Sequence, residues 1–140
     1  MSYRAGARGS RAPFLLDTHI WFWHAIGSKR LHRRLRNTLD DAADELWLSP
    51  VSIWELGLLY QRGRVQMDRG PRAWVAEALA QIPLHDASLT REVALVSDEL
   101  ALHGDPADRF LAATALVHRL TLVTVDERLT SASWLPTLSD

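Results

Sequence analysis

Cysteine is absent from this 140-residue chain, which excludes a disulfide framework and any thiolate zinc site. The six histidines, at positions 19, 24, 32, 85, 103 and 118, fall in no HExxH-like spacing, so soft-metal chemistry is not expected. No apolar run approaches the ~20 residues that span a bilayer. The N-terminal stretch also lacks the apolar core of a signal peptide, and together these absences lead to the expectation of a cytoplasmic protein. Repeats, linkers and low-complexity segments are missing as well. So are the phosphate-cradling GxxxxGK[ST] loop and the GxSxG nucleophile elbow.

Lysine occurs once, at position 29, among sixteen Lys and Arg residues. The basic complement is therefore arginine, suited to bidentate contacts with phosphate or carboxylate. Several arginines cluster in KRLHRRLR, residues 29–36. The plain reading is a solvated amphipathic helix with Leu31, Leu35 and Leu39 inward, and a nucleic-acid patch is the alternative. The net charge of −1 hides this asymmetry.

With 47% hydrophobic residues, the chain can bury one core, and a single domain over 13–140 is expected. Residues 1–12, MSYRAGARGSRA, are small, polar and basic. They read as a disordered arm or a start placed too early. Phe14-Leu15-Leu16 is a short apolar run ending at Asp17, and Thr18 is placed to cap the helical HIWFWHAI. Ser28 is expected to open a second helix to about Ala43, LWLS at 46–49 a buried strand, and Ser49-Pro50 a helix to about Gln61. Pro71 begins another helix, IPL at 82–84 reads as a strand, and SLTREVALVSDELALH as a helix. Pro106 to about Arg119 is helical, TLVTV at 121–125 a strand, and ERLTSASWLPTLS holds a helical turn and an edge strand. Strands alternating with helices predict a three-layer α/β domain with a mostly parallel central sheet.

Four carboxylates stand out against this frame. Asp17 and Asp126 each follow the carboxyl end of a predicted strand, the edge that carries the ligand crevice in open α/β sheets. Glu55 lies on a stripe with Val51, Ser52, Leu58 and Leu59, where burial would require pairing, protonation or a cation. In HGDPADRFLAATA, Asp105 with Pro106 explains itself as a helix cap. Asp108, one turn before the apolar face of Leu111, Ala112 and Ala115, is surplus to capping. Taken singly, each acid has a plainer use: Asp17 and Asp126 as caps, Glu55 in an ion pair, Asp108 sharing the cap of its helix. Taken jointly, three fall at corners expected to share one edge of the sheet and Glu55 on a core-facing stripe, and four like charges brought close would repel unless a divalent cation neutralised them. An all-oxygen ligand set selects Mg²⁺ or Mn²⁺, and such a site can activate water against a phosphodiester.

FLLDTHIWFW, SPVSIWELGLL, HGDPADRFLAATA and LTLVTVDERL, in that order from Phe14 almost to the end, resemble a PIN domain, specifically the VapC toxins of type II toxin–antitoxin modules. The resemblance implies an α/β/α fold and a Mg²⁺- or Mn²⁺-dependent endoribonuclease whose acids map onto Asp17, Glu55, Asp108 and, more variably in role, Asp126. Asp108 is the family acid within DPxDR. Thr18 and Thr124 match family hydroxyls beside the metal, and Ser52, one turn before Glu55, would serve likewise. The resemblance further implies a homodimer or a toxin–antitoxin hetero-oligomer. Its cognate antitoxin would lay a C-terminal segment, with a basic side chain, in the groove. A metal-dependent phosphatase, a DNA nuclease and a catalytically silent binding module are the rival readings.

Overall fold

The computed structural model describes residues 12–139. The expected N-terminal arm, residues 1–12, lies outside the described residues except for Ala12, which packs against the core. Five strands form one sheet: β1 (Phe14–Leu16), β2 (Leu46–Leu48), β3 (His85–Asp86), β4 (Thr121–Val123) and β5 (Thr137–Leu138). Their order is β3-β2-β1-β4-β5, and every pairing is parallel, including the edge strands, where a mostly parallel sheet was expected.

Alternation along the strands divides the core in two. Phe14 and Leu16 of β1 face one cluster with Leu46, Leu48 and Val123, and the helices α1 (Thr18–Ile26), α2 (Arg33–Asp41) and α4 (Pro71–Gln81) cover it. Leu15 and Leu122 face the other, covered by α6 (Pro106–His118) and α7 (Glu127–Thr130), with α5 (Arg91–Glu99) packed on α6. The result is the three-layer α/β/α arrangement. Helix α3 (Pro50–Gln61) touches α1 and α4 from one layer and α6 from the other, so it bridges the layers.

Several boundaries differ from the sequence expectation, each for a local reason. The second helix starts at Arg33, not Ser28. Gly27 ends α1 in the left-handed region (φ 68°), and His32 caps α2. Leu31, Leu35 and Leu39 are buried as expected. Strand β3 lies at 85–86 rather than 82–84, because the Ile82 amide closes the last turn of α4 on Ala78 and Pro83 has no N–H for a ladder. Helix α5 runs only from Arg91 to Glu99. Beyond it the chain is held by Arg109, whose guanidinium donates to the carbonyls of Ser97 (2.7 Å), Leu100 (3.1 Å) and Leu102 (2.8 Å). Strand β4 stops at Val123, although the Thr124 amide still donates to the Leu138 carbonyl at 3.1 Å.

Candidate functional site

The carboxyl edge of the sheet gathers four helix N-termini. Helices α1, α3 and α7 start just after β1, β2 and β4, and α6 runs antiparallel to the strand it precedes. Helix N-termini favour anions, and the acids stand here. Asp17 caps α1, taking its cap hydrogen bond from the Thr18 amide at 2.7 Å; Thr18 is the first residue of the helix rather than its cap. Asp105 caps α6 and Asp126 caps α7. Capping thus accounts for part of what Asp17 and Asp126 do.

Two buried threonines tie the acids together. The Thr124 hydroxyl donates to Asp17 Oδ2 at 2.6 Å and accepts from the Asp126 amide at 3.1 Å, so one oxygen joins the loops after β1 and β4. The Thr18 hydroxyl donates to Glu55 Oε1 at 2.6 Å. A hydroxyl has a single proton, so Ser52 Oγ, 3.0 Å from Thr18 Oγ1, is the donor in that contact. Thr18, Ser52 and Thr124 are all fully buried. Thr18 and Thr124 each bond an acid of another element directly, and Ser52 reaches Glu55 through Thr18, contacts that the tertiary fold alone supplies.

Asp108 is 6% exposed. His103 Nε2 stands 2.6 Å from its Oδ2, and Arg128 Nη2 donates to the same oxygen at 3.4 Å. Arg128 also binds Asp126 Oδ2 at 2.9 Å. Glu55 is half-buried, as are Leu58 and Leu59, while Leu56 is fully buried in the core. The stripe expected to be buried is thus buried only at Val51 and Ser52.

Burial pushes the Asp17 carboxyl above the usual carboxylate range against the pull of the Thr124 hydrogen bond, and the charge of Asp108 pushes the same way. Glu55 is also raised, first by burial and then by the charges of Asp17 and Asp105, with Thr18 opposing. Asp108 is raised by burial, with His103 opposing and the charges of Asp105 and Asp126 adding. Asp126 goes the other way, held low chiefly by its hydrogen bond from Arg128. The acids therefore feel one another as a single electronegative cluster. With their oxygens engaged by threonine, histidine and arginine, no three His, Asp or Glu side chains among the described residues close around one point in the manner of a metal cage.

His103, Arg109 and Arg128 did not stand out in the sequence. His103 lies five residues before the acid it binds, and its only mark in the sequence is its place in HGDPADR. Arg128 lies within the DER that follows β4, and Arg109 follows Asp108 directly. The basic helix contributes nothing visible to the site: Arg33 and Arg34 are exposed, and Arg36 donates to the Ser28 carbonyl at 2.6 Å.

The PIN domain family model matches residues 14–135. The chain belongs to the PIN domain family. Among PIN-domain relatives it is similar to Ribonuclease VapC22 of Mycobacterium tuberculosis (strain ATCC 25618 / H37Rv), with 34% identity over 120 residues that span 84% of this chain and 89% of that protein. The same PIN fold is found in VapBC2 from Rickettsia felis bound to a promoter DNA fragment, with a TM-score of 0.68 and 18% identity over 90% of this chain and 97% of that one. It recurs in DNA-bound VapBC from Salmonella typhimurium, with a TM-score of 0.66 and 18% identity over 90% and 96% of the two chains. The family suggested by the four motifs is therefore the family to which the chain belongs.

Proposed function

We propose that this PIN domain is a Mg²⁺- or Mn²⁺-dependent endoribonuclease, the toxin of a toxin–antitoxin pair, acting in the cytoplasm as one domain over residues 13–140. The observation that carries the reading is the cluster at the carboxyl edge: Asp108 buried, Asp17 and Glu55 half-buried, and all three carboxyls raised by burial and by neighbouring charge. Such a cluster is costly without a cation, and its donors are all oxygen, the set that hard divalent ions take. Asp17, Glu55 and Asp108 would hold the ion, with Asp126 completing the set. Binding would draw Asp108 Oδ2 away from His103 and Arg128. When bound, the ion lowers the pKa of an attacking water and stabilises the leaving oxygen.

The chain's own residues supply the rest. Thr124 and Thr18 fix the rotamers of Asp17 and Glu55 by hydrogen bonds that pass through buried hydroxyls, and Ser52 fixes Thr18 in turn. Glu55, half-buried and held at Oε1 by Thr18, serves to accept the proton of the attacking water. A bond forms from the water oxygen to phosphorus, a P–O ester bond breaks, and the departing oxygen takes up a proton. Arg128 neutralises charge on the phosphate beside the acids.

The name of the curated relative and the toxin–antitoxin complexes among the solved structures support a cognate antitoxin as partner. Its C-terminal segment would enter the groove with a basic side chain toward the acids. An apolar hollow of about 240 Å³ lined by Pro50, Val51, Trp54, Leu89, Pro106 and Phe110 supports pairing with a second copy or with that antitoxin. No helix among the described residues is long and apolar enough to cross a membrane.

The test is cleavage mapping on total cellular RNA with purified, antitoxin-free protein. Cleavage is expected in Mg²⁺ or Mn²⁺ and is abolished by EDTA. Undiminished cleavage after exhaustive metal removal would overturn the metal reading, and cleavage of DNA or phosphate monoesters with RNA intact would replace the ribonuclease reading by its rivals.

A further inference from the structure

Beside the acid cluster lies a cleft of about 470 Å³ that none of the acids lines. One wall is the segment after α5, with Leu102 and His103. The other is α7 and the turn after it, with Arg128, Ser131 and Trp134. The volume falls within the ~300–1,000 Å³ of small-molecule sites, ample for a single nucleotide.

Both walls are held in place. Arg109 donates to the Leu102 carbonyl at 2.8 Å and also reaches that of His103. On the other side Leu129 and Leu135 are sunk in the core, and Trp134 between them and solvent remains 38% exposed. A large aromatic on a rigid support offers a stacking face at little entropic cost. Arg128 engages Asp126 and Asp108 through Nε and Nη2, yet its side chain stays 58% exposed. A guanidinium carries five donors, enough to hold these carboxylates and take a phosphate oxygen as well. His103 and Arg128 both touch Asp108 while lining the cleft, so cleft and acids are continuous.

Resting on the ribonuclease reading above, we propose that this cleft binds one unpaired nucleotide of the RNA next to the scissile phosphate, its base stacked on Trp134 and its phosphate on Arg128. An aromatic face paired with arginine is how proteins grip single strands without reading their sequence. A duplex cannot present an unstacked base to such a face, so the cleft selects loops and single-stranded segments. Ser131 adds a hydroxyl that can hydrogen-bond the base or the sugar.

The experiment is fluorescence anisotropy of a short labelled single-stranded RNA with the full chain in EDTA, with the RNA checked for integrity on a gel. Trp134→Ala is expected to weaken binding on the order of tenfold, and Trp134→Phe to retain most of it. Arg128→Gln is expected to weaken binding and reduce the slope of log affinity against log salt by about one phosphate contact. Tyr60→Ala, at an aromatic 37% exposed near the end of α3, serves as control, and thermal melts confirm that each variant is folded. Unchanged binding by folded Trp134→Ala overturns the proposal, as does an equal loss in Tyr60→Ala. Loss of antitoxin affinity with RNA affinity intact assigns the cleft to the protein partner and overturns it too. Cleavage by the unaltered protein in Mg²⁺ is scored separately: binding through Trp134 without cleavage sinks the nuclease and keeps the cleft, and cleavage without a Trp134 effect does the reverse.

Discussion

The two ends of the sheet make an instructive pair. At the amino end a cavity of about 670 Å³ is lined by His24, Asp40, Asp44 and His85 among others, larger than any hollow described at the carboxyl end. It holds acids and histidines too. Yet its acids lie in solvent: Asp40, which pairs with the buried His24 at 2.9 Å, is 57% exposed, Asp44 is exposed, and the exposed His85 meets the Asp44 carbonyl at 2.8 Å and the Trp47 ring. At the carboxyl end the hydroxyls of Thr18, Ser52 and Thr124 are wholly buried and Asp108 nearly so, with helix N-termini turned toward them. Solvent satisfies charge at one end, and the protein must satisfy it at the other. A buried, mutually repelling cluster is kept at a cost to stability, which an ordinary surface pocket does not incur. Cost, rather than size, marks the site.

The sharpest way to break this comparison is to neutralise one acid at each end. Asp17→Asn and Asp108→Asn are expected to lower single-turnover cleavage by roughly 100-fold or more while leaving the metal-free protein as stable as before or more so. Asp40→Asn is expected to leave cleavage unchanged. Rates in Mg²⁺ beside thermal melts in EDTA check this; an early-melting Asp108→Asn that cuts at the parental rate would reduce Asp108 to a helix-end anion.

The pH dependence of stability sharpens the contrast further. A carboxyl raised in the fold above its ordinary value, near 3.8 for Asp17 and Asp108 and 4.5 for Glu55, binds its proton more tightly folded than unfolded. The fold therefore loses stability as pH rises from those ordinary values through the raised ones. Asp126, held low by Arg128, acts oppositely, and its stabilisation is lost as pH falls below the ordinary value. Melts in EDTA across mildly acidic to neutral pH are expected to show the decline set by the three raised acids, with a shallower decline in Asp17→Asn.

The smallest effect separates neighbours within one motif. Asp105 accepts from the amides of Ala107 and Asp108 at 3.0 and 3.4 Å. Asp105→Ala is expected to cost about 1 kcal/mol of stability, as loss of a helix cap does, with cleavage by the folded fraction largely kept. Denaturant melts and rates measured together decide it.

How much of this was legible beforehand follows from the range of the forces involved. Apolar runs ending at acids, Ser49-Pro50 and Asp105-Pro106 act over a few residues, so strands β1, β2 and β4 and the helices α3, α4 and α6 could be read from local pattern. Corners before helices pointed Asp17, Asp108 and Asp126 to one edge, while Glu55 read only as a member of a core-facing stripe. Boundaries set by distant groups were not legible. Helix α5 ends where Arg109 takes its carbonyls, and β3 shifts to His85 because pairing with β2, not its own apolar residues, defines it.

The sequence by itself determined the alternation of strands and helices, the absence of sulfur chemistry and the four acids, because periodicity, caps and composition are local properties of the chain. Tertiary structure alone decided which partner each acid keeps. Thr124 reaches Asp17 across 107 positions and Thr18 reaches Glu55 across 37. Arg128 joins Asp108 to Asp126, and Trp134 comes to face the loop of His103. Hydrogen bonds and desolvation act over a few ångströms of space whatever the separation in sequence, so the protonation and orientation of these acids exist only once the sheet has brought the loops together.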